Sequence, residues 1–171
     1  MSESKSEEAE MPDVYEVENK ESKGITLDRL FKLYKKGRLT TDAYQRNFID
    51  RKSKWNTKLI ESLICGIDIG SVEIIKEDTE EGEMYYIVDG QHRIMTVMRF
   101  LDNLYALSKN HLTKVNSSKL NKRFNKLPER WQNKLEETEI LAFMYRENEH
   151  HDAASIFLRR NEGSTNLNKM E

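Results

Sequence analysis

One short stretch of the sequence holds the residues best suited to chemistry: Asp89, Gly90, Gln91, His92 and Arg93. A glycine between a β-rich run and a helical pattern brings backbone N–H groups and the positive end of a helix to one point. The guanidinium of Arg93 could hold an anion through its planar fork of donors. These residues suit a phosphate site, but read by themselves they favour the alternative, an ordinary Asp-Gly turn with Arg93 at the surface.

Tyr44, Gln45 and Arg46 form a second polar group, in an extended segment between two predicted helices. Arg46 could be a second ligand of the same anion, but the three residues in isolation favour a solvated edge strand with Tyr44 packed inward. An anion with several oxygens needs several cationic or N–H partners from different elements. We therefore predict that Arg46 and Arg93 face one cleft, and that Arg93→Ala removes binding while leaving the fold intact.

Few other residues indicate a metal or nucleophile. His150 and His151 are adjacent, so on a helix they point about 100° apart, unlike the i, i+4 histidines of a zinc helix. Asp89 could help to hold Mg²⁺ carried in by a nucleotide, because Mg²⁺ commonly uses one carboxylate together with phosphates. The single cysteine, Cys65, lies in an apolar helical pattern, which predicts that it is buried.

The elements that would position these residues predict an α+β domain. Amphipathic helices are expected over residues 25–36, 55–66 and 152–160, from residue 91 onward, and around Trp131. Thr26 is the expected N-cap of the first helix, and Pro128 is expected in the first turn of the helix around Trp131. Extended chain is expected over 39–48 and strands over 72–76, 84–88 and 138–145, of which the first two strands should pair as a hairpin.

The charge distribution separates a tail from a body. Residues 1–23 contain eight acidic residues and three lysines, whereas the whole chain of 171 residues has a net charge of −2. We predict that this acidic tail is disordered, because it has no apolar periodicity, and that residues 24–171 form one domain. The sequence ends within what reads as a new helix, so we expect a longer parent protein.

Composition also limits the partners. No apolar run approaches the roughly 18 residues of a membrane span, and the charged start is unlike a signal peptide. We therefore expect a cytoplasmic protein with no membrane partner. Residues 108–134 hold eight Lys or Arg and one Glu, which could contact nucleic acid or form a solvated, lysine-rich loop.

Together these motifs resemble the N-terminal domain of GmrSD-type restriction proteins, which is similar to the sensor half of the defence protein SspE. The resemblance covers residues 25–171 and rests on residues 44–46, 58–64 and 88–93, and on Ile156, Phe157, Asn161, Gly163 and Leu167. It implies a fold similar to ParB and sulfiredoxin, with a small mixed sheet, a hairpin and several packed helices. In that fold the glycine motif before a helix binds nucleotide phosphates.

The resemblance further implies a domain that binds a nucleoside triphosphate with Mg²⁺ and hydrolyses GTP or ATP in a restriction or phage-defence system. A nuclease domain or subunit would lie outside this chain. The nucleotide-binding residues would be Tyr44, Gln45, Arg46, Asp89, Gly90, Gln91, His92, Arg93 and Asn161. Of these, Asp89, Arg46 and Arg93 would be catalytic, and Asp89 would also meet the metal.

Some residues depart from the family pattern. Asn47 and Asp50 stand where the family commonly has a proline and an aromatic residue, and Gln91 stands where sulfiredoxin has its catalytic cysteine. Sulfiredoxin chemistry is therefore not implied. The His92 form also occurs in DNA phosphorothioation regulators related to DndB, which makes a non-enzymatic DNA-binding or regulatory module the alternative function.

Overall fold

The computed structural model describes residues 21–41, 53–120 and 122–146. The elements in these ranges are Glu21–Thr26 (β1), Leu27–Lys35 (α1), Leu39–Thr41 (β2), Ser53–Ile64 (α2), Val72–Thr79 (β3), Gly82–Asp89 (β4), Gln91–Leu101 (α3), Ser117–Leu120 (α4), the 3₁₀ turn Phe124–Lys126, Glu129–Glu137 (α5) and Glu139–Arg146 (β5). The predicted α+β class is confirmed, whereas the likeness to ParB and sulfiredoxin stays a prediction.

The five strands form one mixed sheet in the order β1-β5-β3-β4-β2. β3 and β4 are an antiparallel hairpin, as the sequence predicts. β5 lies parallel to β3, and β2 lies parallel to β4. β4 therefore has a neighbour on each side, which fixes the position of the turn that follows it.

The main hydrophobic core lies between the helices and one face of the sheet. It includes fully buried side chains from both layers, among them Leu30, Ile60, Ile74, Ile87, Ile94 and Phe100. Burying each such side chain contributes about 1.5 to 3 kcal/mol relative to exposure. Because side chains alternate along a strand, the opposite face carries a separate, smaller cluster of Ile75, Val88 and Tyr145.

Helix α1 begins two residues later than the sequence predicts, because Ile25 belongs to β1. The predicted cap is confirmed, since Thr26 Oγ1 accepts a hydrogen bond of 3.3 Å from the backbone N–H of Arg29. Pro128 is itself the N-cap of α5 instead of a first-turn residue.

Cys65 is exposed, so the prediction that it is buried is wrong. α2 ends at Ile64, and Leu63 and Ile64 both point into the core. Successive helical residues are about 100° apart, so the position that follows Ile64 turns away from the core.

The predicted boundary of the acidic tail is also wrong by three residues. Glu21, Ser22 and Lys23 begin β1 and pair with Met144, Phe143 and Ala142 of β5. Backbone pairing at the edge of a sheet needs no apolar side chains, so hydrophobic periodicity gives no signal there. Residues 1–20, the extended segment beyond Thr41 and the predicted helix 152–160 lie outside the described residues. Within the described ranges no helix is long and apolar enough to cross a membrane.

Candidate functional site

The turn between β4 and α3 requires glycine for two reasons. Gly90 has a φ of 84°, in the left-handed region that side-chain-bearing residues rarely adopt. A Cβ atom at this position would lie 2.7 Å from Cγ1 of Val72, on the neighbouring strand. The backbone at Gly90 is therefore both left-handed and tightly packed.

The first turn of α3 presents backbone donors. Its first helical hydrogen bond runs from Ile94 N to Gly90 O, at 3.0 Å, so the N–H groups of Gln91, His92 and Arg93 precede the helical ladder. Among the described residues no side chain caps this end, and the first turn contains no acidic residue. Such a helix end favours an anion, because the N–H groups and the helix dipole both present positive charge.

Arg93 is held in place by two oxygens. Its Nη1 donates to the carbonyl oxygen of Ile69 at 2.6 Å, and its Nη2 lies 3.4 Å from Oδ2 of Asp89. The side chain is 24% exposed, so the guanidinium is recessed but still reaches the surface. A guanidinium has five N–H donors, and these two contacts fix its orientation beside the turn.

Gly70 lies beside Nη1 of the Arg93 guanidinium, and the sequence analysis missed it. A Cβ atom at Gly70 would lie 2.6 Å from Arg93 Nη1, and Gly70 also has a left-handed φ of 85°. The local signal is an Asx-type turn, in which Asp68 Oδ1 accepts from Gly70 N at 2.8 Å. Nothing in the sequence links that turn to a residue 23 positions later.

Gln91 is the most buried polar residue of the turn, with 8% of its surface exposed. Within the described part of the chain its side-chain Nε2 has no hydrogen-bond partner. His92 is half-buried. A buried donor without a partner costs free energy, which a ligand oxygen would recover.

Asp89 differs from its neighbours because its side chain is 66% exposed. Across the sheet its register partner is Glu73, which is 4% exposed. The described residues contain no group of three or more His, Cys, Asp or Glu side chains that could hold a metal ion. A cation at Asp89 would therefore need further oxygens from a ligand, which suits Mg²⁺ bound to phosphates.

The structure thus brings together five of the predicted site residues, Asp89 to Arg93, on one turn. Tyr44, Gln45, Arg46 and Asn161 lie outside the described residues, as do His150 and His151. The prediction that Arg46 and Arg93 share a cleft stays a prediction.

A buried carboxylate that the sequence analysis did not single out organises a neighbouring loop. Glu61, on α2, is 3% exposed, and its Oε1 accepts the backbone N–H groups of Thr113 (2.6 Å), Lys114 (2.5 Å) and Val115 (3.3 Å). Burial raises the pKa of Glu61, but these hydrogen bonds outweigh burial and hold the pKa below its usual value. The ionised carboxylate fixes the loop to α2.

Comparison with protein families identifies the family of this chain. A family model described as the N-terminal domain of the GmrSD restriction endonuclease matches residues 27–171. The matched region includes the Gly90 turn, Gly70 and the Glu61 anchor. Comparisons with curated proteins and with solved structures found no match.

Proposed function

Because the chain belongs to the family of GmrSD restriction endonuclease N-terminal domains, we propose that it binds a nucleoside triphosphate with Mg²⁺ at the Gly90 turn. Hydrolysis of this nucleotide would switch a restriction or DNA-defence machine, and a nuclease domain or subunit outside these residues would cut DNA. The observation that carries the proposal is the uncapped start of α3 beside the oriented guanidinium of Arg93.

Three kinds of hydrogen-bond donor at the turn would bind phosphate oxygens. The left-handed backbone of Gly90 joins β4 to α3, and the first-turn N–H groups of α3 would bind phosphate oxygens at this helix start. Arg93 would add charge-assisted hydrogen bonds through donors not used by Ile69 and Asp89. Gln91 Nε2 and His92 would donate to further phosphate oxygens.

Hydrolysis would depend on positioning and charge stabilisation, which dominate phosphoryl transfer. The exposed carboxylate of Asp89 would hold Mg²⁺ or a water molecule, and Mg²⁺ would neutralise charge on the phosphates. Arg46 would neutralise oxygens from a second element, with Tyr44, Gln45 and Asn161 completing the nucleotide site. We assign no general base.

A thermal-shift screen tests binding directly. A ligand that binds only the folded state increases the free energy of unfolding, by about 2.7 kcal/mol at 100 times its Kd. The melting temperature therefore rises. We expect at least one of ATP, GTP, CTP and UTP to do so with Mg²⁺, while Mg²⁺ alone and inorganic phosphate do not. Release of phosphate from that nucleotide then tests hydrolysis.

One observation favours a second candidate function, a non-enzymatic DNA-binding or regulatory module. The basic stretch of residues 108–134 is exposed at every Lys and Arg. DNA binding through such residues would weaken steeply with salt and show no dependence on Mg²⁺-nucleotide, whereas a compact nucleotide pocket would discriminate among bases.

A further inference from the structure

The basic stretch of residues 108–134 holds eight Lys or Arg and one Glu. Within the described residues, none of its six lysines and two arginines forms an ion pair with Asp or Glu. Elsewhere, Lys32, Lys35, Lys76 and Arg146 each lie within 2.8 Å of a carboxylate oxygen. Uncompensated charge on one surface attracts polyanions.

This surface contains a cleft of about 340 Å³, which we call the basic cleft. It is lined by Val115, Asn116, Lys119, Pro128, Arg130 and Trp131. The cleft therefore combines cations, an amide and an aromatic ring in a space suited to one small planar group.

Trp131 supplies a stacking surface in the basic cleft. The guanidinium carbon of Arg130 lies 4.3 Å from the centre of the Trp131 ring, and Lys134 Nζ lies 5.8 Å from it. Trp131 is half-buried and packs against the main core, so the ring is fixed in position. Nucleobases stack on aromatic rings and on guanidinium planes in this way.

One wall of the basic cleft is fixed by the hydrogen bonds of the Glu61 carboxylate. Val115 lines the cleft and is also one of the three residues whose N–H groups bind the Glu61 carboxylate. A wall fixed in advance loses little conformational freedom when a ligand binds.

We propose that the basic cleft binds an unpaired base of a nucleic-acid strand, stacked on Trp131 or on the guanidinium of Arg130. The neighbouring phosphates would lie on Lys119 and Lys134. A strand fits better than a free nucleotide, because Lys134 lies 5.8 Å from the Trp131 ring without lining the cleft, where it can meet the phosphate of a neighbouring nucleotide. A duplex fits worse, because its bases are stacked inside and present no free face. This site is separate from the Gly90 turn and does not depend on the proposed nucleotide binding.

Tryptophan fluorescence gives a direct test. The chain has two tryptophans, so Trp55→Phe leaves Trp131 as the only one. We expect a 12-nucleotide single strand to quench the emission of Trp131. Whichever of DNA and RNA quenches more strongly identifies the natural ligand. Equal quenching by the matching duplex, by heparin or by a mononucleotide would overturn the proposal.

Paired charge variants provide the control. Lys119→Gln with Lys134→Gln removes the two cations proposed to hold phosphates, and Lys32→Gln with Lys36→Gln removes two exposed cations, one in α1 and one at its C-cap. The first pair should weaken strand binding at least about tenfold and reduce the salt slope by about 1.4, because each single-strand phosphate contact contributes roughly 0.7. The second pair of substitutions should have much less effect on the strand affinity and on the salt slope. Equal losses from the two pairs would also overturn the proposal, and melting curves of all variants verify folding.

Discussion

Nη1 of Arg93 donates a hydrogen bond of 2.6 Å to the carbonyl oxygen of Ile69, which lies 24 residues earlier in the chain. The bond ties the loop before β3 to the first turn of α3. Sequence reasoning predicted a purely functional Arg93 whose removal leaves the fold intact. The contact with Ile69 gives Arg93 a structural role as well, because truncation would leave a partly buried carbonyl without this donor.

Arg93→Ala should therefore lower the free energy of unfolding by about 1 to 2 kcal/mol while leaving the protein folded. Asp89→Asn is the matched control, because it removes only the partner at 3.4 Å, a carboxylate that is 66% exposed. Exposed ion pairs contribute at most about 1 kcal/mol. Urea unfolding measures both variants, and an Arg93→Ala variant as stable as the parent would contradict the structural role.

Gly70→Ala should act through Arg93. The new Cβ atom would meet Nη1 at 2.6 Å and displace the guanidinium, and the left-handed φ of 85° adds strain of its own. In an Arg93→Ala background only the strain remains, so Gly70→Ala should cost less there. A double-mutant cycle should give a coupling energy of about 0.5 to 3 kcal/mol, the range for residues in contact. Additive losses would show that the two residues do not interact.

Gly90→Ala and Gly37→Ala separate packing from backbone strain. Gly37 has a φ of 68° with no atom within 4 Å of a new Cβ, whereas a Cβ at Gly90 would meet Val72 at 2.7 Å. Gly37→Ala should cost about 1 kcal/mol, the penalty of a left-handed alanine. Gly90→Ala should cost clearly more, because its strand neighbour must shift. Equal melting temperatures for the two variants would contradict the close packing at Gly90.

Glu61→Gln should show a pH-dependent loss of stability. The pKa of Glu61 lies below its usual value, so its ionised form stabilises the fold above pH 4 to 5, and this contribution disappears as the pH falls further. The variant should be less stable by about 1 to 3 kcal/mol at pH 7. Melting curves at pH 7 and pH 3.5 should show this gap narrowing in acid. A difference in stability between the parent and Glu61→Gln that stays constant or widens in acid would contradict a stabilising ionised carboxylate at Glu61.

Local patterns were sufficient to predict the turn and its neighbours. The β-rich run of residues 84–88, the Asp-Gly step and the helical spacing of Ile94, Val97 and Leu101 are all features of residues close in the chain. They correctly predicted the hairpin, β4 and α3, and with them the placement of Asp89 to Arg93 on one turn.

Contacts between distant segments could not be predicted in the same way. The pairing of Gly70 with Arg93 and of Glu61 with residues 113–115 depends on how helices and loops pack, which periodicity does not report. The edge strand at Glu21 gave no apolar signal because it is held by backbone bonds to β5. Trp131 was predicted as part of a helix, but its position in a cleft follows only from the tertiary fold.

Calorimetric titration of Mg²⁺-nucleotide into the parent chain and into Arg93→Ala tests whether the Gly90 turn binds a nucleoside triphosphate. We expect saturable binding of at least one of ATP, GTP, CTP and UTP by the parent. Binding should be weaker without Mg²⁺ and in Asp89→Asn, and it should be lost in an Arg93→Ala variant whose melting curve shows that it is folded. No binding of any of the four by the parent, or equal affinity in folded Arg93→Ala, would contradict a phosphate site at the Gly90 turn.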